Sequence, residues 1–247
     1  NTGDPVNGVT VTFTAPVSGA SGIFADTSTN VTTAVTDSNG LATSSVFTAN
    51  NQPSGYEVEA TAPGYDAPAI FNLTNTFADL YVSPSGSDSN SCTSPALPCF
   101  TINGAIGKAS SGNTIAVANG IYTGTGSYVV SVSNNIILSG GWDNTFSTQH
   151  GFSTIDGQNV RAGINNYGSG STIDRFIITN GYSQNKAGGI DSGGSLVLNN
   201  SIVMNNKTGG GSTGSAGGIF ASGTLTLNNS TVRNNVSPTR AGGILIY

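Results

Sequence analysis

Charge is what this 247-residue chain has least of. Only 8% of its residues are Asp, Glu, Lys or Arg, against about 25% in a typical soluble domain. The seven basic residues gather in no patch and the net charge is −5, which argues against nucleic acid or an anionic membrane surface as partner. No apolar run approaches the ~20 residues of a membrane-spanning helix, so no membrane span is expected. Histidine occurs once, at His150, and cysteine twice. That is too few ligands for a zinc site, and no Ser-His-Asp arrangement can be argued from one histidine. No cofactor is expected. No signal peptide is visible, and the chain starts at Asn1, so it reads as a processed product or a fragment.

Gly, Ser, Thr and Asn take the place of charge, with 35 Gly among them. Low charge with few apolar residues would mean disorder. Here β-branched Val, Ile and Thr recur throughout, which points to an all-β chain with many tight turns. The cysteines lie in CTSPALPC, at Cys92 and Cys99. A short loop around two prolines suits a disulfide and thereby an oxidising, extracellular setting. The other reading is a pair of free thiols.

Residues 1–76 read as one unit. Alternating runs at Val9–Phe13, Val31–Val35 and Tyr56–Ala62, with Leu41–Ala49 and Ala69–Leu73, suggest the short strands of a β-sandwich. The turn Thr36–Gly40, which ends in Asn-Gly, signals a hairpin between the runs that flank it. GDPVNGVTVTF and TDSNGLATSSVF resemble two motifs of bacterial immunoglobulin-like domains of the invasin and intimin type. That resemblance spans nearly all of this unit and implies an Ig-like β-sandwich. The family has a further strand before the first motif. Its absence here leads to the expectation that it is supplied upstream or by another subunit.

Thr76–Leu80 reads as a linker, and the second unit is expected over 77–247. Residues 81–112 form a cap region. It contains a helix, Thr101–Ala109, with Ile102, Ala105, Ile106 and Ala109 on one face. Coils follow from 113 to 247, beginning with the strand Thr114–Ala118. This start resembles that of right-handed parallel β-helices of the pectin-lyase-like and surface-adhesin class, in which a short N-terminal helix covers the open end.

The chain repeats itself. SLVLNNSIVMNN (Ser195–Asn206) and TLTLNNSTVRNN (Thr224–Asn235) agree at eight of twelve positions. AGI or AGGI recurs at Ala162, Ala187, Ala216 and Ala241, at nearly even intervals. Repeats with periods of roughly 20–50 residues signal a solenoid. Leu198 and Leu227, Val203 and Val232, and Leu196 and Leu225 are unchanged, whereas Met204 becomes Arg233. The unchanged positions should face inward and stack from coil to coil. Asn180, Asn205 and Asn234 align as an asparagine ladder: Asn tolerates a left-handed bend, and its amide can bond to its copies above and below. The glycines of AGGI suit a tight corner. About five coils are counted, the last unfinished at Tyr247, and bare strand edges there are expected to meet more coils or other copies.

The β-helix resemblance implies polysaccharide lyases and hydrolases among the relatives. Such activity needs clustered carboxylates. Asp174 aligns with Asn199, and Asp191 with Phe220, so no carboxylate stack forms. The better reading of these Asp residues is solvated surface, and no catalytic or metal site is assigned. Trp142, Phe146 and Phe152 lie in an insertion, WDNTFSTQHGF. They can offer rings to a surface glycan, or fold the insertion onto the coil. GGGSTGSAGG (Gly209–Gly218) lacks the Lys of a phosphate loop and reads as an inter-coil loop. The expectation is therefore an extracellular, bacterial structural or adhesive surface protein, within a large adhesin or as the subunit of a filament. Its partners would be its own copies or neighbouring domains through open strand edges. The alternatives are a polysaccharide lyase or hydrolase, or a glycan-binding module without catalysis.

Overall fold

The computed structural model describes residues 5–50, 52, 54–75, 78–210 and 216–247. Gly3 and Asp4 of the first motif, Thr76 of the expected linker and residues 211–215 of the glycine run lie outside this set. The chain divides into two compact units, Asn1–Phe77 and Ala78–Tyr247. Both are built of strands, and the helix Ile102–Ile106 is the only one among the described residues.

In the first unit, four antiparallel strands run in the order Val31–Val35, Thr10–Thr14, Ser54–Thr61, Ala69–Asn75. A second antiparallel pair joins Gly22–Phe24 to Phe47–Ala49. Phe13 and Val58 from the first sheet share a core with Phe24 and Phe47 from the second. The Phe24 ring centroid lies 4.8 Å from that of Phe47 and 6.5 Å from that of Phe13.

The expected hairpin at Thr36–Gly40 does not form. Val31–Val35 pairs with Thr10–Thr14, whereas Phe47–Ala49 pairs with Gly22–Phe24 in the other sheet. A two-residue hairpin turn of the Asn-Gly type needs positive φ at both residues. Only Gly40 has it, at +73°. The Asp37 carboxylate instead accepts the backbone N–H of Asn39 and of Leu41, and the chain passes to the second sheet. The strand Gly22–Phe24 is too short to give a signal in the alternation.

In the second unit, parallel strands stack into three main sheets, beside a parallel pair formed by Tyr182–Ser183 and Lys207–Thr208. Sheet one contains Tyr128–Val132, Ala162–Asn166, Ile190–Ser192, Ile219–Ala221 and Ile244–Ile246. Sheet two contains Leu80–Val82, Thr114–Ala118, Ile137–Trp142, Ser171–Asp174, Leu196–Asn199 and Leu225–Asn228. Sheet three contains Gly120–Tyr122, Ser153–Asp156, Phe176–Thr179, Ile202–Met204 and Thr231–Arg233. The chain visits one, two and three in turn, and each circuit makes a rung. Leu80 therefore belongs to a strand, in register with Ile115, and not to a linker; the expected cap region already holds a strand of sheet two.

Registers place like on like. Val130, Ile164, Ile190, Ile219 and Ile244 form one column. Leu138, Ile173, Leu198 and Leu227 form another. Ile155, Ile178, Val203 and Val232 form the third. All meet in one core except Leu227, which sits on the end strand of its sheet and is 36% exposed. Rungs repeat at ~4.8 Å, so each buried aliphatic side chain contacts its own counterpart above and below.

Between sheets three and one, Asn180, Asn205 and Asn234 occupy the same bend, with φ of 52°, 57° and 54°. The bonded amides lie one residue further on. Asn206 is fully buried; its side chain donates to the Ile178 carbonyl and to Asn235 Oδ1, and accepts the Gly181 N–H at 2.7 Å. The Asn180 amide donates to Asp156 instead. Left-handed backbone at the first Asn turns the second one inward, so each Asn-Asn pair splits the two jobs. A second left-handed column, Arg175, Asn200 and Asn229, joins sheets two and three. The AGGI glycines have no positive φ. They are required by close stacking: a Cβ on Gly189 would stand 2.5 Å from the Gly218 carbonyl oxygen, and one on Gly218 2.5 Å from that of Gly243.

Ala162 to Asn180, Ala187 to Asn205 and Ala216 to Asn234 are equal steps along the chain. The return from Asn to the next Ala is not constant: Asn205 to Ala216 is longer than Asn180 to Ala187 or Asn234 to Ala241. Among these rungs the length variation falls in that one arc, which contains the glycine run.

The helix is shorter than expected, beginning after the Thr101 N-cap, whose hydroxyl accepts the Gly104 N–H at 2.9 Å. Ile102, Ala105 and Ile106 are buried in the core of the unit, and Ala109 packs against it. Asn103, on the other face, closes an edge of sheet one. Its amide donates to the Val129 carbonyl and accepts the Ser131 N–H, both at 2.9 Å. Replacing Asn206 with Ala is expected to destabilise the second unit by about 2–3 kcal/mol, because it leaves buried backbone groups unpaired. Met204→Ala, on the outward side, should cost under about 1 kcal/mol. Urea unfolding of both variants checks the difference.

Candidate functional site

Cys92 and Cys99 form a disulfide. The loop it closes lies along the first strand of sheet two: Tyr81 N–H donates to the Cys92 carbonyl, and Cys99 N–H to that of Tyr81. Asp88 ties this segment to the helix, accepting the N–H groups of Phe100 and Thr101 and the Thr101 hydroxyl. Burial raises its pKa, but these hydrogen bonds outweigh burial and leave it below the ordinary value.

The expected glycan-stacking surface of Trp142, Phe146 and Phe152 is not assembled. Trp142 is 8% exposed and Phe146 2%. The Phe146 ring meets Tyr81 edge-on with centroids 5.0 Å apart, so the insertion folds onto the outer face of sheet two. Only Phe152 keeps an exposed ring. Asp143 organises the insertion. Its carboxylate accepts the hydroxyls of Thr148, Thr145 and Ser147 and their backbone N–H groups. Led by the Thr148 hydroxyl, these bonds hold it far below the usual carboxylate range.

The remaining carboxylates do not converge. Asp156 accepts from Gln158 N–H and the Asn180 amide, and Asp174 from the Asn200 amide at 2.7 Å. No group of three His, Cys, Asp or Glu side chains suited to a metal occurs among the described residues.

Asp191 is the exception to the solvated reading. It is 3% exposed, although it points away from the core. It shares an outward column of sheet one with Asn165 below and Phe220 above. The Tyr128 hydroxyl, from two strands away, donates to Asp191 Oδ2 at 3.0 Å. The Lys186 ammonium stands 3.7 Å from the same oxygen. Burial pushes the Tyr128 hydroxyl above its ordinary pKa, and the Asp191 charge, its hydrogen bond and nearby Tyr167 add to the shift. Asn165 Oδ1 is buried with no hydrogen-bond partner among the described residues. The alignment of Asp191 with Phe220 is the signal available in the sequence: a position that takes Phe in the next rung is not an open one.

No family model, curated protein or solved structure matches the chain.

The lowered pKa of Asp143 gives a pH dependence with a definite sign. A carboxylate with a depressed native pKa stabilises above its unfolded value and loses that effect only as pH falls through the native one. Hydrogen-exchange protection at Thr145, Ser147 and Thr148 should persist as pH drops through the ordinary 3.8 and fail below it. Asp143→Asn should remove it at neutral pH. A midpoint at the ordinary value would contradict this.

Proposed function

We propose that the chain is a structural and adhesive protein of a bacterial cell exterior. It pairs an Ig-like β-sandwich with a right-handed parallel β-helix, carried in a large adhesin or as the subunit of a surface filament. The in-register stacking of three parallel sheets is the observation that carries this reading. Right-handedness follows from the near-universal hand of parallel crossovers. In such a stack the backbone hydrogen bonds run along the axis, which makes a stiff spacer of low charge. The disulfide Cys92–Cys99 supports an oxidising compartment. In the sandwich, Phe71 and Leu73 are 48% and 38% exposed beside Phe13, Phe24 and Val58, which supports strand addition at this apolar edge as a means of joining units.

Immunogold labelling of intact source cells tests the reading, combined with thiol alkylation of the native protein before reduction. Surface label and blocked cysteines are expected. Label confined to the cytosol, or freely alkylated Cys92 and Cys99, would sink it. Negative-stain microscopy of sheared material then separates regular filaments from single projections.

A further inference from the structure

We infer that the open edge of sheet three at Gly120–Tyr122, with the notch between Phe100 and Ile121, receives an extended basic peptide of a partner protein as an added strand. The inference goes beyond the adhesive reading and stands without it.

The lowest strand of each sheet has backbone groups that need a cover. The chain itself covers two of the three. In sheet two, Leu80–Val82 lies along the disulfide loop, where Tyr81 N–H donates to the Cys92 carbonyl and the Tyr81 carbonyl accepts the Cys99 N–H. In sheet one, the Asn103 amide closes Tyr128–Val132. Sheet three begins with Gly120–Tyr122, which pairs with Ser153–Asp156 alone. After Val82 the chain turns off, with Gly86 N–H donating to the Ser83 carbonyl, and lays no strand beneath this edge. Only the Pro84 ring reaches it, at Gly120, where a Cβ would stand 2.5 Å from Pro84 Cγ.

Ile121 is the residue left open. In a parallel strand, successive residues turn their N–H and C=O to opposite neighbours. Ser153 donates to the Arg175 carbonyl in the rung above. Thr154 therefore faces the rung below and meets Gly120 and Tyr122, which turns the Ile121 N–H and C=O outward. Neither has a hydrogen-bond partner among the described residues. Beside this edge lies a cavity of about 440 Å³, within the range of ligand sites. Its floor is apolar, made by the buried Ile102, Tyr122 and Val130. Phe100 and Ile121 flank it and are 53% and 68% exposed.

These groups select a strand. Its backbone meets the Ile121 N–H and C=O at the ~4.8 Å spacing that the rungs already use, and its side chains alternate between the apolar floor and solvent. The open strand spans about 10 Å, so a short segment fills it. Asp88, exposed, is the one charged side chain of the lining. Lys108 donates to the Asp88 main-chain carbonyl and lies outside the lining. With a net charge of −5 on the chain, the notch disfavours an acidic peptide and favours one that carries Lys or Arg.

Backbone NMR of the whole ¹⁵N-labelled chain tests this. The main probe is the blocked hexapeptide acetyl-VTVKVT-amide. Its comparators carry Glu in place of Lys, or N-methyl groups at alternate residues, in either phase. Cellohexaose stands for a sugar. The Lys peptide is expected to shift resonances of residues 100–103 and 121–125. The Glu peptide should bind at least tenfold more weakly, and N-methylation should abolish binding in at least one phase. Ile121→Lys should weaken binding at least tenfold with the melting temperature unchanged, because the side chain is exposed and a charge on an edge strand opposes pairing. Ile121→Val should retain it. Absence of shifts in this region would overturn the inference, as would equal binding of both N-methylated copies or shifts produced by cellohexaose alone. Shifts confined to Phe71 and Leu73 would remove the notch and leave the sandwich edge as the site of strand addition. Peptide shifts at Ile121 in a protein whose label is cytosolic would remove the adhesive reading and leave the notch.

Discussion

Parallel backbone hydrogen bonding between one rung and the next governs the whole second unit. It forces every residue to tolerate a counterpart at ~4.8 Å on each side. Branched aliphatics accept that spacing, which is why Ile164, Ile190 and Ile219 share a column. Charges do not. Low charge is thus a condition of the architecture, and the few ionisable groups sit at bends, in the insertion, around the helix as Asp88 and Lys108 do, or on outward columns. Glycine enters for the same reason, at Gly189 and Gly218, where two backbones come too close for any side chain.

That constraint also decides what is legible in the amino-acid order. A column repeats, so the all-β class and the inward positions Leu198 and Val203 can be read from two similar lines. The strand Thr114–Ala118 is legible from its composition. What is lost depends on single backbone angles. The Asn-Gly at Asn39 and Gly40 points to a hairpin, but only Gly40 is left-handed. The sequence suggests one asparagine ladder, although bending and bonding fall on adjacent residues. Asn205 turns the chain and Asn206 bonds it. Nothing in a one-letter run of Asn distinguishes the two.

The candidate site is less legible than the fold. Trp142 and Phe146 draw attention because aromatic residues in an insertion often meet ligands. Yet an insertion that must lie on a flat sheet needs an apolar foot, and Phe146 serves as one against Tyr81, while Trp142 ends the strand Ile137–Trp142 of the sheet itself. For Asp191 the sequence holds one signal, its alignment with Phe220 in the next rung. Its surroundings come from Tyr128, 63 residues away, and from columns that exist only once rungs are in register. Convergence across rungs is a property of the stack, and no short motif encodes it.

The constant arc from Ala to Asn and the variable arc that follows it divide each rung into a ruler and a slack rope. Three sheet segments and both left-handed bends belong to the ruler, where a residue inserted inside a strand would turn the rest of that strand inside out. The rope starts with the buried, bonded Asn206 and the strand Lys207–Thr208, and past them it carries no column of the core. Gene-level slippage beyond that point changes the outline of the molecule and leaves its interior untouched. A lineage of such proteins can therefore diversify its surface by length at its corners, as the segment between Trp142 and Ser153 also does, while its core is held to substitution alone.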